Sequence, residues 1–280
     1  MNSILHLGYS PCPNDTFIFF ALAEARIPTH PLSFRIHLAD VEVLNQSAAR
    51  GTLDVTKVSI HAVTNVLQDY WMLAAGGAMG RGCGPLVVAR KEMTLPDLRD
   101  ACVAVPGRMT TAHLLLQLQG NHRGPLVEMP FDRIMAAVVQ GEVDAGVIIH
   151  ESRFTYPQLG LRLVLDLGAW WEEETGLPLP LGGIVMKRGL ERETARMMED
   201  SIRRSILYAH DHREEAWPYI RSHAQEMDPL VMQQHIDMFV NEFSLDLGSE
   251  GRKSVRFLLG AAAEVHRIPL PPKPVFWDEE

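Results

Sequence analysis

Ser10-Pro11-Cys12-Pro13-Asn14-Asp15-Thr16-Phe17 follows directly on the apolar stretch Ile4–Tyr9. Two prolines hold the turn open and remove two backbone donors. Asn14 or Asp15 is then placed to supply an N-cap oxygen for a helix running from Thr16 to about Arg26. A strand, a polar turn and a helix in that order put the turn at the carboxyl end of a first β-strand, where open α/β sheets bind their ligands.

Downstream the alternation continues. Strand patterns at Ser33–Ala39, Val55–Ile60, Trp71–Ala75, Pro85–Ala89, Cys102–Val105, Leu126–Met129 and Ala145–Ile149 are interleaved with helical patterns at Val41–Ala49, His61–Gln68, Leu95–Asp100, Thr111–Gln119 and Phe131–Gln140. Such a rhythm predicts mostly parallel sheets covered by helices. After a strand at Gly182–Met186 the chain turns helical, over Glu191–Ala209, Pro229–Phe243 and Arg252–Val265, before an extended tail at Pro269–Pro274.

Arg50–Ser59 and Gln140–Ile149 echo one another: helix end, Gly, a spacer, an aliphatic residue, Asp, then a buried strand. The glycine suits a helix C-cap and the aspartate a tight turn. The echo points to two similar lobes. With 280 residues, each lobe can have its own core.

The bulk chemistry narrows the function. A formal charge of −9, with no Lys/Arg-rich block, argues against nucleic acid or an anionic membrane surface as partner. An anionic small molecule could bind only where local donors offset that field. Cys12, Cys83 and Cys102 have no metal-ligand spacing and read as reduced thiols. No apolar run approaches the roughly 18 residues of a membrane span, and the start has no basic signal-peptide region, so a cytoplasmic protein is expected. The motifs Gly-x-Ser-x-Gly, His-Glu-x-x-His and Gly-x-Gly-x-x-Gly are missing from any suitable context.

Four places could carry chemistry. His150 ends the apolar strand at Ala145–Ile149 and so emerges into a crevice, with the one side chain whose ordinary pKa suits proton transfer near neutrality. Pro106-Gly107-Arg108-Met109-Thr110-Thr111-Ala112 opens a helix with two hydroxyls and free N–H groups, a natural carboxylate or phosphate site. Lys57 interrupts an otherwise apolar strand and must face an anion or solvent, while Ser59 at that strand's end can donate to a ligand oxygen. Trp170-Trp171, with the Gly- and Pro-rich segment that follows, suits a wall or lid, or packing between the lobes. The other histidines, most of them on helices and loops with polar neighbours, read as surface residues.

With these segments assembled, the chain resembles the 1,4-dihydroxy-6-naphthoate synthase family of the futalosine route to menaquinone. The matching pieces are Ser10–Phe17, Lys57-Val58-Ser59, Thr110-Thr111, His150-Glu151-Ser152-Arg153-Phe154-Thr155-Tyr156 and Trp170–Gly183. The resemblance implies an α/β fold like the type II periplasmic binding proteins, with two lobes, two hinge crossovers and a cleft between. On that basis the first lobe is expected over residues 1–105 and 188–280, and the second over 106–187.

It further implies cleavage of cyclic dehypoxanthinyl futalosine to 1,4-dihydroxy-6-naphthoate, a carbon–carbon lyase step without metal or organic cofactor, with His150 as proton acceptor. Lys57, Ser59, Thr110 and Thr111 fall at substrate-binding positions, and Asn14, Asp15 and Arg153 are further candidates. The implied partner is a small anionic substrate, with no nucleic acid and no membrane; a homodimer is left open. The alternatives are a solute-binding protein of the same fold and the related chorismate dehydratase, against which the Ser-Pro-Cys-Pro octet and the His-Glu-Ser-Arg segment argue.

Overall fold

The computed structural model describes residues 4–225 and 228–279; Ser3, which the sequence pattern places in the first strand, lies outside them. The chain begins β1 (Ile4–Tyr9), α1 (Pro13–Ala23), β2 (Ser33–Leu38), α2 (Val41–Ala49), β3 (Val55–Ser59), α3 (Ile60–Val66), β4 (Tyr70–Met72) and β5 (Ala78–Gly80). It passes through β6 (Leu86–Ala89), α4 (Leu95–Leu98), β7 (Val103–Val105), α5 (Thr111–Gln119), β8 (Leu126–Glu128), α6 (Phe131–Gln140), β9 (Ala145–Ile148), α7 (Ser152–Thr155), β10 (Arg162–Asp166) and α8 (Leu167–Thr175). The long β11 (Leu179–Lys187) leads back, and α9 (Arg192–Asp211), α10 (Arg213–His223), α11 (Pro229–Phe239), α12 (Glu242–Leu245) and α13 (Gly248–His266) complete the chain.

Two sheets result, and they share one plan. The first has the order β2-β1-β3-β11-β4, with β5 also on β11; the second has β10-β6-β9-β7-β8. In each, three strands joined through helices run parallel: β1 with β2 and β3, and β7 with β8 and β9. In each, the next strand is antiparallel and arrives from the other half of the chain: β11 beside β3, and β6 beside β9. The parallel expectation therefore holds for the βα units and fails at these crossover strands.

The expected lobe boundaries need correction at both ends. β6 and β7, assigned by sequence to the first lobe, lie in the second sheet, and β11, assigned to the second, lies in the first. Local pattern shows that a strand exists, whereas its sheet is decided by long-range pairing. The change of sheet falls between β5 and β6 on the way out. On the return it falls at β11, whose start pairs with β5.

The internal echo is a structural repeat. Gly51 and Gly141 both take left-handed backbone, φ 66° and 76°, where a side chain would be strained. The aspartates that follow do the same job in each lobe. His6 N donates to Asp54 Oδ2 at 2.9 Å while Asp54 N donates to His6 O; Cys102 N donates to Asp144 Oδ2 at 2.8 Å while Asp144 N donates to Cys102 O. Each aspartate thus anchors the start of the third parallel strand to the start of the first.

β3 is buried along its whole length, although Thr56, Lys57 and Ser59 are polar and only Val55 and Val58 are apolar. On one side of the first sheet Leu7, Val55, Ile184 and Met186 pack against Phe19, Ile202 and Ile236 of the helical layer. On the other, Val58 and Val185 join a core that continues through Leu114 and Val147 into the second lobe. Ile134, Val138 and Ile148 fill the far side of the second sheet. Among the described residues no helix is long and apolar enough to cross a membrane.

Candidate active site

The octet that opens the chain builds the first wall. α1 starts at Pro13, with Cys12 at the N-cap and no side-chain cap, so neither Asn14 nor Asp15 caps the helix as expected. Proline at N1 needs no donor there and already has helical φ. Asp15 is freed to turn back on the loop: its Oδ2 accepts from Ser10 N at 3.2 Å and Ser10 Oγ at 2.8 Å, and its Oδ1 from Asn14 Nδ2 at 3.1 Å. The same Oδ1 lies 3.0 Å from Lys57 Nζ, both side chains being about 5% exposed or less. Lys57 also donates to Gly76 O at 2.8 Å. The lysine that interrupts β3 is therefore one half of a buried ion pair.

Ser59, two residues on, is held by α2. Its N–H donates to Asn45 Oδ1 at 2.8 Å, and Asn45 Nδ2 reaches both Ser59 Oγ and Glu42 Oε2 at 3.2 Å. Glu42 then crosses to the second lobe, accepting from Met109 N at 3.2 Å. Burial pushes the Glu42 carboxyl above its usual range, with the amides of Asn45 and Met109 opposing. Gly107, φ 143°, makes room for this contact: a Cβ there would lie 2.5 Å from the Glu42 carboxyl carbon.

The opposite wall is the start of α5. Thr110 is the N-cap, accepting from His113 N at 3.3 Å and donating to Gly107 O at 2.7 Å. Thr111 Oγ1 donates to Leu181 O at 2.7 Å, and His61 N donates to it at 3.3 Å. Helix geometry leaves the N–H groups of Thr111 and Ala112 without partners inside α5, and both residues line the cavity. Thr110 caps the helix, and the helix start faces the cavity.

His150 stands beyond the end of β9 with φ 56°, one of three non-glycine residues with left-handed backbone among those described. Strain of this kind concentrates where a side chain must be aimed. The imidazole meets the edge of Phe131 at a ring-centroid distance of 4.8 Å and stacks, 10° from parallel and 5.9 Å away, on His235 of α11. His150 Nε2 is buried without a hydrogen-bond partner.

These walls enclose a cavity of about 90 Å³ between the lobes. Asn14, Asp15, Lys57 and Ser59 line it from the first lobe, Thr110, Thr111 and His150 from the second. An ion-paired lysine, hydroxyls, the first amides of α5 and the unpartnered imidazole nitrogens of His150 and His235 thus converge on one space.

Comparison with known proteins identifies the family. Residues 5–264 match the family model described as "Menaquinone biosynthesis". A "1,4-dihydroxy-6-naphtoate synthase" of Thermus thermophilus is 52% identical, over 97% of this chain and 98% of its own length. The chain belongs to the menaquinone biosynthesis family. A protein of the same name from Streptomyces coelicolor is 47% identical over 95% of both chains. Among solved structures, protein AF1704 of Archaeoglobus fulgidus superposes with a TM-score of 0.88 at 35% identity, covering 95% of this chain and 98% of that one. The alkanesulfonate-binding protein SsuA of Xanthomonas axonopodis pv. citri superposes at 0.72 with 14% identity, covering 97% and 96%. That second likeness shows the periplasmic-binding-protein-like fold alone.

In this family member, one candidate named from the sequence is placed elsewhere. Arg153 is absent from the cavity lining; its guanidinium donates to Gly84 O at 2.7 Å and Gly82 O at 3.1 Å and pairs with Asp166 at 3.0 Å. It braces the crossover between the sheets. Trp171 is a buried core residue whose Nε1 donates to Pro178 O at 3.3 Å, so of its segment only Leu181 and Gly182 reach the cavity.

The expectation that most histidines lie on the surface is wrong for three that matter. His61, His113 and His235 are all at most 4% exposed. Burial depresses His61 to about 4, its Nδ1 meeting Thr110 O at 3.1 Å and its Nε2 meeting His266 Nε2 at 2.8 Å. Nothing local in α11 distinguishes His235 from a surface histidine. The cysteines are free thiols. Cys12, His150 and Glu151 bring one donor atom each within 4.8 Å of one another, a grouping invisible in the spacing. Burial and the Glu151 carboxylate hold the Cys12 thiol well above its usual range, which works against the thiolate a metal needs.

Proposed function

We propose that this chain is a 1,4-dihydroxy-6-naphthoate synthase, a carbon–carbon lyase acting on cyclic dehypoxanthinyl futalosine with His150 as general base. The observation that carries the assignment of the base is the unpartnered Nε2 of His150, held by left-handed backbone at the cavity wall. The names of the two relatives support the substrate.

The chemistry follows from the walls. The N–H groups of Thr111 and Ala112 hold the aryl carboxylate, and the Lys57 ammonium, its charge balanced by Asp15, offers a remaining N–H beside Ser59. This fixes the sugar-derived part against His150. His150 takes a hydroxyl proton from that part, and the O–H electron pair becomes a carbonyl. The adjacent carbon–carbon bond breaks, its electrons pass into the ring that becomes the naphthoate, and the proton held by His150 is returned to an oxygen of that ring system, which regenerates the base. Aromatisation drives the step forward. The cleavage is redox-neutral, and no metal or organic cofactor is assigned to it. Closure of the lobes, with Glu42 on the Met109 amide, excludes water.

By the same reading the partner is a small anionic molecule, not nucleic acid or a membrane, and the protein works in the cytoplasm. The test is incubation of the purified chain with the cyclic substrate, followed by mass spectrometry. Dihydroxynaphthoate and an equal amount of the released fragment are expected. Thermal stabilisation by the substrate without product would instead identify a binding protein.

A further inference from the structure

His235 belongs to none of the sequence motifs. It is fully buried on α11 and lines the cavity from the first lobe. Its Nε2 lies 2.9 Å from Asn14 Oδ1. The Asn14 amide nitrogen is committed to Asp15 Oδ1, so the Asn14 oxygen faces the imidazole and His235 is the donor. The proton is thereby fixed on Nε2, and Nδ1 is left as a lone pair. Nδ1 is buried without a hydrogen-bond partner; Glu151 Oε2, at 3.6 Å, is beyond hydrogen-bond reach. Burial and the neighbouring His150 hold the ring well below its usual pKa, so it stays neutral and able to accept.

Across the cleft, His150 has the same deficit at Nε2, on a nearly parallel ring 5.9 Å away. Unpartnered buried nitrogens are costly to keep, and two of them facing one cavity call for a ligand that satisfies both. We infer that His235 is a second catalytic residue, whose Nδ1 accepts a hydrogen bond from a substrate hydroxyl beside the one that His150 deprotonates. No net proton moves to His235: it orients the hydroxyl-bearing segment while His150 takes the proton. The inference rests on the lyase reading and adds a requirement, at least two hydroxyls on the part of the substrate that is released. Asn14 becomes a positioning residue, acting through His235 and anchored by the Asp15–Lys57 pair.

Three variants test this with the cyclic substrate: His235→Phe, which keeps the ring but no nitrogen; His235→Gln, which keeps a donor and an acceptor; and Asn14→Ala. His235→Phe is expected to lower kcat on the order of 100-fold with KM within a few-fold. His235→Gln should recover to within about tenfold of wild type, both melting near the wild-type temperature. Turnover of His235→Phe within about threefold of wild type, or His235→Gln as slow as His235→Phe, overturns the inference. Should His235→Phe fail to fold, Asn14→Ala decides: an about tenfold fall in kcat that does not multiply with that of His235→Gln is expected, and no fall or a fully multiplicative one refutes it. Wild-type protein that makes no product would refute the lyase reading itself.

Discussion

Replacing Lys57 by Met tests whether the Asp15–Lys57 pair holds the site together. Lys57 and Asp15 are 3.0 Å apart and almost fully buried. Removing one partner of a buried pair costs about 3–5 kcal/mol, because a charge is left uncompensated. Here Asp15 would keep Ser10 N, Ser10 Oγ and Asn14 Nδ2, which moves the cost toward the lower end. The acceptor at Gly76 O loses its donor as well, adding about 1 kcal/mol. The sum is about 4 kcal/mol, or a fall in Tm of about 8 °C for a chain this size. Adding Asp15→Asn to Lys57→Met removes the orphaned charge, and the double variant should recover about 2 kcal/mol over the single one. Urea denaturation of the wild type, both single variants and the double variant closes the cycle. A cost below about 1 kcal/mol for Lys57→Met, or a double variant no more stable than Lys57→Met, would refute the reasoning.

Two further outcomes follow from the same geometry. Gly107→Ala should destabilise by about 1–3 kcal/mol and slow turnover, since φ 143° is unfavourable for alanine and the new Cβ meets the Glu42 carboxylate; urea titration with steady-state kinetics checks it. On acidification stability should fall between about pH 6.5 and 4, because His61 binds its proton in the unfolded chain near its ordinary pKa but in the folded one only near 4. The group's contribution is complete above that window, amounts to roughly 3 kcal/mol, and is lost at its lower end; denaturation across the pH range with His61→Gln, which should flatten the slope, measures it.

What the sequence shows and what it conceals divide along a physical line. Helices α2, α5 and α6 are legible to the residue, because local periodicity determines them and a glycine follows each end, Gly51 one residue past the cap of α2 and Gly120 and Gly141 at the caps of α5 and α6. The Asp54 and Asp144 anchors were foreshadowed by the repeat they belong to. Membership of β6, β7 and β11 in their sheets was not, since a crossover strand looks like any other until its partner is known. At the site, His150 and Thr110-Thr111 announce themselves by following strands. Lys57 announces itself by interrupting one, though its partner Asp15 lies 42 residues earlier and was expected to cap a helix. His235 and Asn45 act through contacts with residues remote in sequence, Asn14 and Ser59, and no local pattern marks them. Arg153 was misplaced for the converse reason: it adjoins the motif of His150, but its side chain turns to the crossover.

The central claim is that His150 takes the proton that starts cleavage. Its most direct test is turnover of the cyclic substrate by wild type and His150→Ala side by side, with substrate binding followed by thermal shift. Dihydroxynaphthoate from the wild type, a loss of kcat on the order of 100- to 10,000-fold in the variant, and retained substrate binding are predicted. A His150→Ala protein that turns over near the wild-type rate would contradict the account.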